Sequence, residues 1–242
     1  MDHPAGDRTL EALGLAGAPR EDPLSYPGTW PKESGLLVGD RLLPLDDHLP
    51  HANRTPVLAI GSNACPGQLR HKMAEFGITS PVPMLKVRVT GVDVGVSAHV
   101  SRVGYVSASP VHAPGVVREL FVTWFDARQL AVVDASERAY DRTRLPGSEC
   151  HIELGSGESL RGVCVYVNRH GVLHDGTGVP RRHPGERTLL TELLSGSRQL
   201  RALFGRTPEE FCERARRDRE LCERGTRLFQ EEGLVTASGL ER

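Results

Sequence analysis

Short apolar runs separated by turn residues fill the first two thirds of the chain, and apolar residues at helical spacing fill the last third. The run at 57–60, Val-Leu-Ala-Ile, predicts a buried strand. The segment Gly61-Ser62-Asn63 ends it with residue types that suit turns and positive φ. Pro66 then stands at a favourable first helical position, and apolar residues recur four apart within 66–76. This stretch predicts a strand, a tight polar loop and a helix.

A long β region follows. Valines alternate with other residues between 87 and 100, which predicts β structure with a bend or bulge at Gly91 or Gly95. A loop is expected at 109–115, where Pro and Gly are concentrated. Further strands are predicted at 116–125, 149–154 and 160–168.

The N-terminal part differs from this central region. Residues 1–28 are rich in Gly, Pro and charge and predict a loose arm with a short helix near 10–15. Residues 35–45 predict a hairpin that turns at Gly39-Asp40. We therefore expect an arm and hairpin over 1–55, partly flexible, before the central domain begins.

Helices are predicted in the last part of the chain. Leucines at helical spacing indicate helices over 189–204, and Thr207-Pro208-Glu209-Glu210 is a start signal for another. One long helix from there would bury Phe211, Ala215, Cys222 and Phe229. The element order predicts an α+β fold, with a central domain at 56–204 and a C-terminal amphipathic helix at 205–242 packed on it.

Composition narrows the class of function. The 242 residues carry a net charge of −1, so no overall field directs the chain to nucleic acid or to a membrane surface. Five cysteines without a C-x-x-C pair favour a reducing, cytoplasmic location over a disulfide framework or a zinc ribbon. No apolar run approaches the length of a membrane span, and the N-terminus lacks the features of a signal peptide. The sequence does not constrain the oligomeric state.

Two histidines, His48 and His51, lie in a polar linker at 46–55. They could bind a metal ion, but no third ligand is evident beside them. A solvated loop is therefore the favoured interpretation.

An acidic residue near a predicted helix end is the main catalytic candidate. Asp126 can cap a short helix whose apolar face includes Leu130 and Val133, and Glu137 lies one turn beyond that face. A carboxyl group there could be partly buried against the sheet and could move a proton between two groups of a substrate. The alternative is a surface glutamate at a helix end.

These features together resemble the gamma-glutamylcyclotransferase-like family. The first is Gly61-Ser62-Asn63 directly after an apolar strand, and the second is Leu130-x-x-x-Asp134-x-x-Glu137 followed by Tyr140-x-Arg142. The resemblance covers roughly residues 57–195, the size of one domain. It implies a mixed β-sheet or barrel flanked by helices, with the N-terminal arm and the C-terminal helix outside it.

The resemblance also implies a reaction. Members cleave a γ-glutamyl amide through attack of the substrate's own α-amine on the side-chain carbonyl, which gives 5-oxoproline and a free amine. Glu137 would be the general acid and base, the partner would be a small-molecule γ-glutamyl compound, and no cofactor or metal would be needed. Tyr140 would orient Glu137 or contact substrate, unless it is a core aromatic. The substrate-binding positions implied are Ile60, Gly61, Ser62, Asn63, Ala64 and Tyr140.

The chain departs from the family's pattern at three positions. Ile60 stands where the family usually has Tyr, and Ala64 stands where it usually has Leu. Thr188 is the nearest match to a tyrosine that the family carries in the helix after the last strand. These changes point to a different substrate or to a scaffold without turnover.

Two other functions stay open. Cys65 precedes a predicted helix N-terminus, which can lower a thiol pKa, so a thiol enzyme with His71, His112 or His174 as partner is one. A catalytically silent binding module on the same fold is the other, because fold does not fix function. A metal site at His170 and His174 is disfavoured, since the segment between them resembles a loop.

Overall fold

The computed structural model describes residues 7–45 and 53–241. The histidine pair considered as a metal site, His48 and His51, lies outside the described residues. Eleven strands form the sheet within the described ranges: β1 Gly35–Val38, β2 Arg41–Leu43, β3 Thr55–Ala59, β4 Val82–Val100, β5 Val106–Phe125, β6 Tyr140–Arg144, β7 His151–Leu154, β8 Ser159–Leu160, β9 Cys164–Asn168, β10 Val172–Leu173 and β11 Val235–Thr236.

The sheet is mixed and open. Its main order is β11-β10-β4-β5-β3-β9-β6, and β1 and β7 pair with β4 beside this path. The pair β3–β9 is parallel, and the other pairs are antiparallel. The predicted α+β class with a mixed sheet is therefore confirmed, whereas a closed barrel is not what the described strands form.

Six α-helices accompany the sheet in the described part of the chain. They are α1 Pro66–Glu75, α2 Ala127–Ser136, α3 Glu186–Gly196, α4 Arg198–Phe204, α5 Pro208–Arg217 and α6 Arg219–Glu231. Two short 3₁₀ turns lie at Pro23–Ser25 and Ser62–Ala64. None of the described helices is long and apolar enough to cross a membrane.

The long hairpin of β4 and β5 is the centre of the sheet, and it corrects one prediction. The segment 109–115, expected to be a loop, lies inside β5, and its residues 109–113 pair with β4 on one side of a register shift. The shift falls between Thr90, which pairs with Val117, and Gly91, which pairs with Ala113. Gly91 is one of the two positions where the sequence predicts a bulge, and a Cβ there would collide with the carbonyl oxygen of Glu149. Residues 109–113 are therefore paired strand, and residues 114–116, which have no partner on β4, form the bulge.

From residue 7 onward, the N-terminal segment packs on the rest of the protein and is not the predicted loose arm. Leu10, Leu15 and Tyr26 are buried, and the carbonyl oxygens of Ala16 and Gly17 lie against α1. A Cβ on Gly67 would collide with those two oxygens, so the glycine permits this close packing. The apolar residues of the segment thus gain a partner that local composition does not reveal.

The predicted C-terminal helix is wrong in one respect, because it is two helices. Asp218 ends α5, and its side chain accepts a hydrogen bond from the backbone N–H of Leu221, which caps α6. The break lets both helices direct aromatic residues into one apolar cluster with α3, α4 and β4. Its largest fully buried members are Phe204, Phe211 and Phe229.

Candidate active site

Glu137 meets the polar loop that follows β3. The loop turns through the 3₁₀ segment Ser62–Ala64, and Glu137 ends α2, whose start is fixed by the capping box of Asp126 and Gln129. Asn63 Nδ2 donates a hydrogen bond to Glu137 Oε1 at 3.1 Å. The tertiary fold therefore brings together two groups that are 74 residues apart in sequence.

A third residue, Lys72, completes this cluster, and neither sequence motif includes it. Its Nζ donates to Asn63 Oδ1 at 2.9 Å and to Glu137 Oε1 at 3.2 Å. The Lys72 side chain is 7% exposed and that of Glu137 is 17% exposed. Both hydrogen bonds to the carboxylate reach Oε1, and none from the described residues reaches Oε2. Lys72 lies about two turns into α1. The sequence feature that could have identified it is a lysine on the helix face that also carries the buried residues Leu69 and Met73.

A cavity of about 1070 Å³ opens beside this cluster. Its walls come from the end of β3, the first turn after it, α1, the end of α2 and one face of α6. The sequence contains four tyrosines, and every one of them lines the cavity: Tyr26, Tyr105, Tyr140 and Tyr166. The low aromatic content of the chain does not predict this concentration, because composition says nothing about where the few aromatics meet.

Tyr26 from the N-terminal segment fixes the loop at Gly61. Its hydroxyl accepts a hydrogen bond from the backbone N–H of Ala108 at 2.8 Å, and its ring stacks on Tyr105 with centroids 4.5 Å apart. A Cβ on Gly61 would collide with the Tyr26 hydroxyl oxygen, so only glycine fits. Burial raises the pKa of both tyrosines well above the usual range. They are therefore neutral hydrogen-bonding groups at physiological pH.

Tyr140 does not hold Glu137 through its hydroxyl. That hydroxyl donates to the carbonyl oxygen of Ala108 at 2.9 Å and lies 2.6 Å from Ser107 Oγ. Burial and the nearby Glu137 raise the pKa of Tyr140 to about 12. Of the roles considered for Tyr140, a core aromatic with a satisfied hydroxyl and contact with a ligand in the cavity both fit its position, and orientation of Glu137 through the hydroxyl does not.

The other predicted residues divide into two groups. The first group, Ile60, Gly61, Ser62 and Asn63, lines the cavity. Ala64 is fully buried in an apolar cluster and is not among the cavity residues. Thr188 is exposed on α3 and is also outside the cavity.

Asp134 and Arg142, the other polar members of the second motif, have a supporting role. Arg142 Nε lies 2.9 Å from Asp134 Oδ1, and the Tyr166 hydroxyl donates to the same oxygen at 2.6 Å. These contacts tie α2 to β6 and β9. Because Glu137 follows directly after α2, they also fix the position from which its side chain enters the cavity.

Cys65 does not have the surroundings of a reactive thiol. It is completely buried, its Sγ donates to the carbonyl oxygen of Gly17 at 3.3 Å, and it is not a cavity residue. Burial raises the pKa of its thiol, which opposes the effect expected from a helix start. The geometry therefore counts against the thiol-enzyme hypothesis.

The histidines after β9 have partners other than a metal ion. His170 stacks on His99 with ring centroids 5.4 Å apart, and the His174 ring contacts the carbonyl oxygen of Gly233 and the N–H of Gly176. Among the residues that the structure describes, no three His, Cys, Asp or Glu side chains are grouped as a metal site requires. His99 and His170 instead line the cavity.

The C-terminal helix α6 forms a wall of this cavity. Its cavity-facing members are Arg219, Cys222, Glu223, Thr226, Arg227 and Gln230. The hydroxyl of Thr226 accepts a hydrogen bond from the N–H of Val100 at 3.0 Å, which fixes α6 on the end of β4. The part of the chain outside the family resemblance thus helps to shape the site.

Comparisons with known proteins identify no family for this chain. No family model matches the sequence, and no curated protein matches it. Among solved structures, the chain is similar to an uncharacterized human protein, loc79017, with 15% identity and a TM-score of 0.35 over 48% of this chain and 67% of that one. It is also similar to YkqA from Bacillus subtilis, with 12% identity and a TM-score of 0.37 over 76% of this chain and 56% of that one. This chain therefore spans little more than half the length of YkqA, and likeness at these TM-scores does not bear on function.

Proposed function

We propose that the protein is a gamma-glutamylcyclotransferase-like enzyme. In this reaction the substrate's α-amine nitrogen attacks the γ-carbonyl carbon, a new C–N bond closes the five-membered ring, and the bond to the original amide nitrogen breaks. The products are 5-oxoproline and a free amine. The observation that supports this most strongly is the meeting of Glu137 with the Gly61–Asn63 loop at the wall of one cavity.

Glu137 is the proton carrier in this proposal. Its Oε2 atom has no hydrogen bond from the described residues and lies on a side chain that lines the cavity, so it can approach a substrate amine. It accepts a proton from the attacking α-amine and returns one to the leaving nitrogen. The number of protons is unchanged at the end of the cycle, so no external acid or base is consumed.

The loop supplies the binding groups. The first N–H groups of the 3₁₀ turn, those of Ser62 and Asn63, make no hydrogen bond to the described residues. They are available to the α-carboxylate of the substrate or to the oxyanion that forms at the carbonyl. The start of α1 cannot serve in the same way, because the carbonyl oxygens of Ala16 and Gly17 cover it.

Ring closure needs little chemistry from the protein itself. The nucleophile belongs to the substrate, and a cavity that holds the amine near the carbonyl exploits a high effective concentration. Tyr26 and Tyr105 line the cavity and pack in the same apolar cluster as Ile60, which stands where the family has a tyrosine. A cavity wall rich in tyrosine therefore compensates for that departure within the proposal.

The test is release of 5-oxoproline from purified protein. A panel should include γ-glutamyl amino acids, γ-glutamyl amines and glutathione, with detection by mass spectrometry. Release that disappears in Glu137→Gln supports the proposal. No release from any member of the panel would favour the catalytically silent binding module, and release that survives Glu137→Gln but is lost in Cys65→Ser would favour the thiol enzyme.

A further inference from the structure

We propose that Lys72 is a positioning residue for Glu137, whose ammonium group holds carboxylate oxygen Oε1 so that Oε2 is presented to the substrate. The inference rests on the proposed cyclotransferase reaction and assigns a task to a residue that the two motifs do not include. In this proposal Oε1 of Glu137 accepts the bonds that hold the carboxylate in place, and Oε2 exchanges the proton with the substrate.

The contacts form a closed triangle. Lys72 Nζ contacts Asn63 Oδ1 at 2.9 Å and Glu137 Oε1 at 3.2 Å, and Asn63 Nδ2 contacts the same Oε1 at 3.1 Å. Oε1 thus accepts two hydrogen bonds, one of them from a charged donor. Two fixed points on one oxygen restrict rotation of the carboxylate about its terminal bond, and this leaves Oε2 in a defined position.

Burial explains why the pair holds together. The Lys72 side chain is 7% exposed, and an ammonium group with so little contact with water needs a charged partner. Glu137 follows the last residue of α2, and a carboxylate at a helix C-terminus meets the unfavourable end of the helix dipole. Lys72 supplies the opposite charge at that point. The ion pair therefore offsets both the burial of the cation and the placement of the anion.

The choice of lysine fits this task. The chain contains only three lysines, Lys32, Lys72 and Lys86, whereas its other basic residues, histidine apart, are arginines. A guanidinium favours a bidentate contact with both oxygens of one carboxylate, which would occupy Oε2 as well. An ammonium group can bond one oxygen of Glu137 and one oxygen of Asn63, and it leaves the second carboxylate oxygen free.

The helix that carries Lys72 is held rigidly. Leu69 and Met73 of α1 are buried, Arg70 donates to the carbonyl oxygen of Ala16 at 3.0 Å, and Gln68 Oε1 accepts from the N–H of Arg20 at 3.1 Å. The N-terminal segment thus clamps the first two turns of α1. Rigid support of this kind is what a group that orients a catalytic side chain needs.

The main experiment is steady-state kinetics of Lys72→Met, with a γ-glutamyl compound that the wild-type protein turns over. We expect kcat to fall about 10²-fold, because the carboxylate loses its fixed orientation. We expect KM to stay the same, because the loop that binds substrate is retained. The matched control is Lys86→Met, which removes a surface ion pair with Glu119 (3.0 Å) on β4 and β5 and should change neither parameter.

Chemical rescue separates orientation from general damage. Lys72→Ala leaves room for a small ammonium ion at the cavity wall, and added ethylammonium should restore part of kcat. Ethylammonium should have no such effect on Glu137→Gln. An increase in KM with kcat unchanged would overturn the inference, since it would mean that Lys72 binds the substrate's carboxylate. Unchanged kinetics in Lys72→Met would overturn it as well.

A readout without activity keeps this inference distinct from the proposed function. Crystal structures of the wild-type protein and of Lys72→Met report directly on the Glu137 carboxylate. We expect that carboxylate to rotate or to become disordered in the variant, whether or not 5-oxoproline is ever released. A carboxylate that keeps its place without Lys72 would overturn the positioning role, whereas absence of turnover in the wild-type protein would overturn only the cyclotransferase reaction.

Discussion

The surroundings of Glu137 and Glu186 differ in access to water and in the number of partners. Glu137 ends α2, lines the cavity and pairs with Lys72. Glu186 begins α3 and is 1% exposed, and its Oε1 accepts a hydrogen bond from the N–H of Val106 at 2.8 Å. Its Oε2 has no hydrogen-bond partner in the described structure, and His183 Nε2 lies 3.6 Å away.

Glu137 and Glu186 have the same side chain, but their surroundings give it different properties. Burial raises the pKa of Glu186, although its place at a helix N-terminus favours negative charge. It connects α3 to β5 and has no route to a ligand, because it is not a cavity residue. Glu137 lines the cavity and has a charged partner on Oε1, while its Oε2 has no hydrogen bond from the described residues. If Glu137 acts as proposed, the difference between the two acids lies in the surroundings of the side chain: one lines the cavity and the other is enclosed.

The largest expected effect comes from exchanging each acid for its amide. Glu137→Gln should lower kcat for 5-oxoproline release by about 10² to 10⁴-fold, because the amide cannot accept the amine proton. Glu186→Gln should retain kcat, since the amide oxygen still accepts from the N–H of Val106. Continuous detection of 5-oxoproline checks both variants. Loss of turnover in Glu186→Gln with normal thermal unfolding would break the contrast between the two acids.

The loop that meets Glu137 at the cavity wall depends on close packing at Gly61. Gly61→Ala places a Cβ against the buried Tyr26 hydroxyl, so either the loop or the tyrosine must move. We expect a loss of about 3 kcal/mol in the free energy of unfolding, measured by urea denaturation, together with reduced turnover. Gly196→Ala is the control, because a Cβ at that helix end would meet no atom of the described residues within 4 Å. Equal stability of the two variants would contradict this account of the loop.

His99 lines the same cavity as Glu137 and tests how burial acts on a basic side chain, whose charged form is a cation. Burial and the neighbouring His170 lower the pKa of His99 from 6.5 to about 4. Its stabilising contribution is therefore present above pH 6.5 and is lost as the pH falls towards 4, because the unfolded chain binds the proton first. We expect a loss of about 3 kcal/mol in the free energy of unfolding over this range, and His99→Gln should remove it. An NMR titration of the His99 ring with a midpoint near 6.5 would refute the prediction.

The smallest expected effect is the contribution of Glu186 to the pH dependence of folding stability. Its pKa is raised in the folded state, so its contribution to stability is present below the unfolded value of 4.5 and is lost as the pH rises through the folded pKa. Glu186→Gln should therefore make the melting temperature less sensitive to pH above 4.5. Thermal unfolding across pH 4 to 8 measures this slope. A slope that is the same in both proteins would mean that the carboxyl is not buried as the structure has it.

Local pattern is enough for most elements of the fold. The strand at 57–60, the helix from Pro66 and the hairpin at 35–45 follow from apolar spacing and turn residues, and each is present. The predicted bulge at Gly91 and the predicted cap at Asp126 are present as well. These features depend on interactions within a few residues, so a local pattern contains the information.

The wrong predictions share a physical cause. The residues at 109–115 have loop-like composition, but residues 109–113 pair with β4 and the others form a bulge within the strand. The break at Asp218 divides a continuous helical pattern, because it allows both halves to reach the same apolar cluster. The N-terminal segment has the composition of a flexible arm, yet its few apolar residues are buried against α1 and the sheet. Tertiary partners decided each of these cases.

The sequence by itself determined the loop at Gly61-Ser62-Asn63, the helix end at Glu137 and the α+β class. It did so because turn chemistry, helix capping and strand alternation are local properties. Only the tertiary structure decided that Lys72 completes the site, that four tyrosines share one cavity and that α6 closes a wall of it. Contacts between residues tens of positions apart depend on the packing of whole elements, and no local pattern encodes that packing.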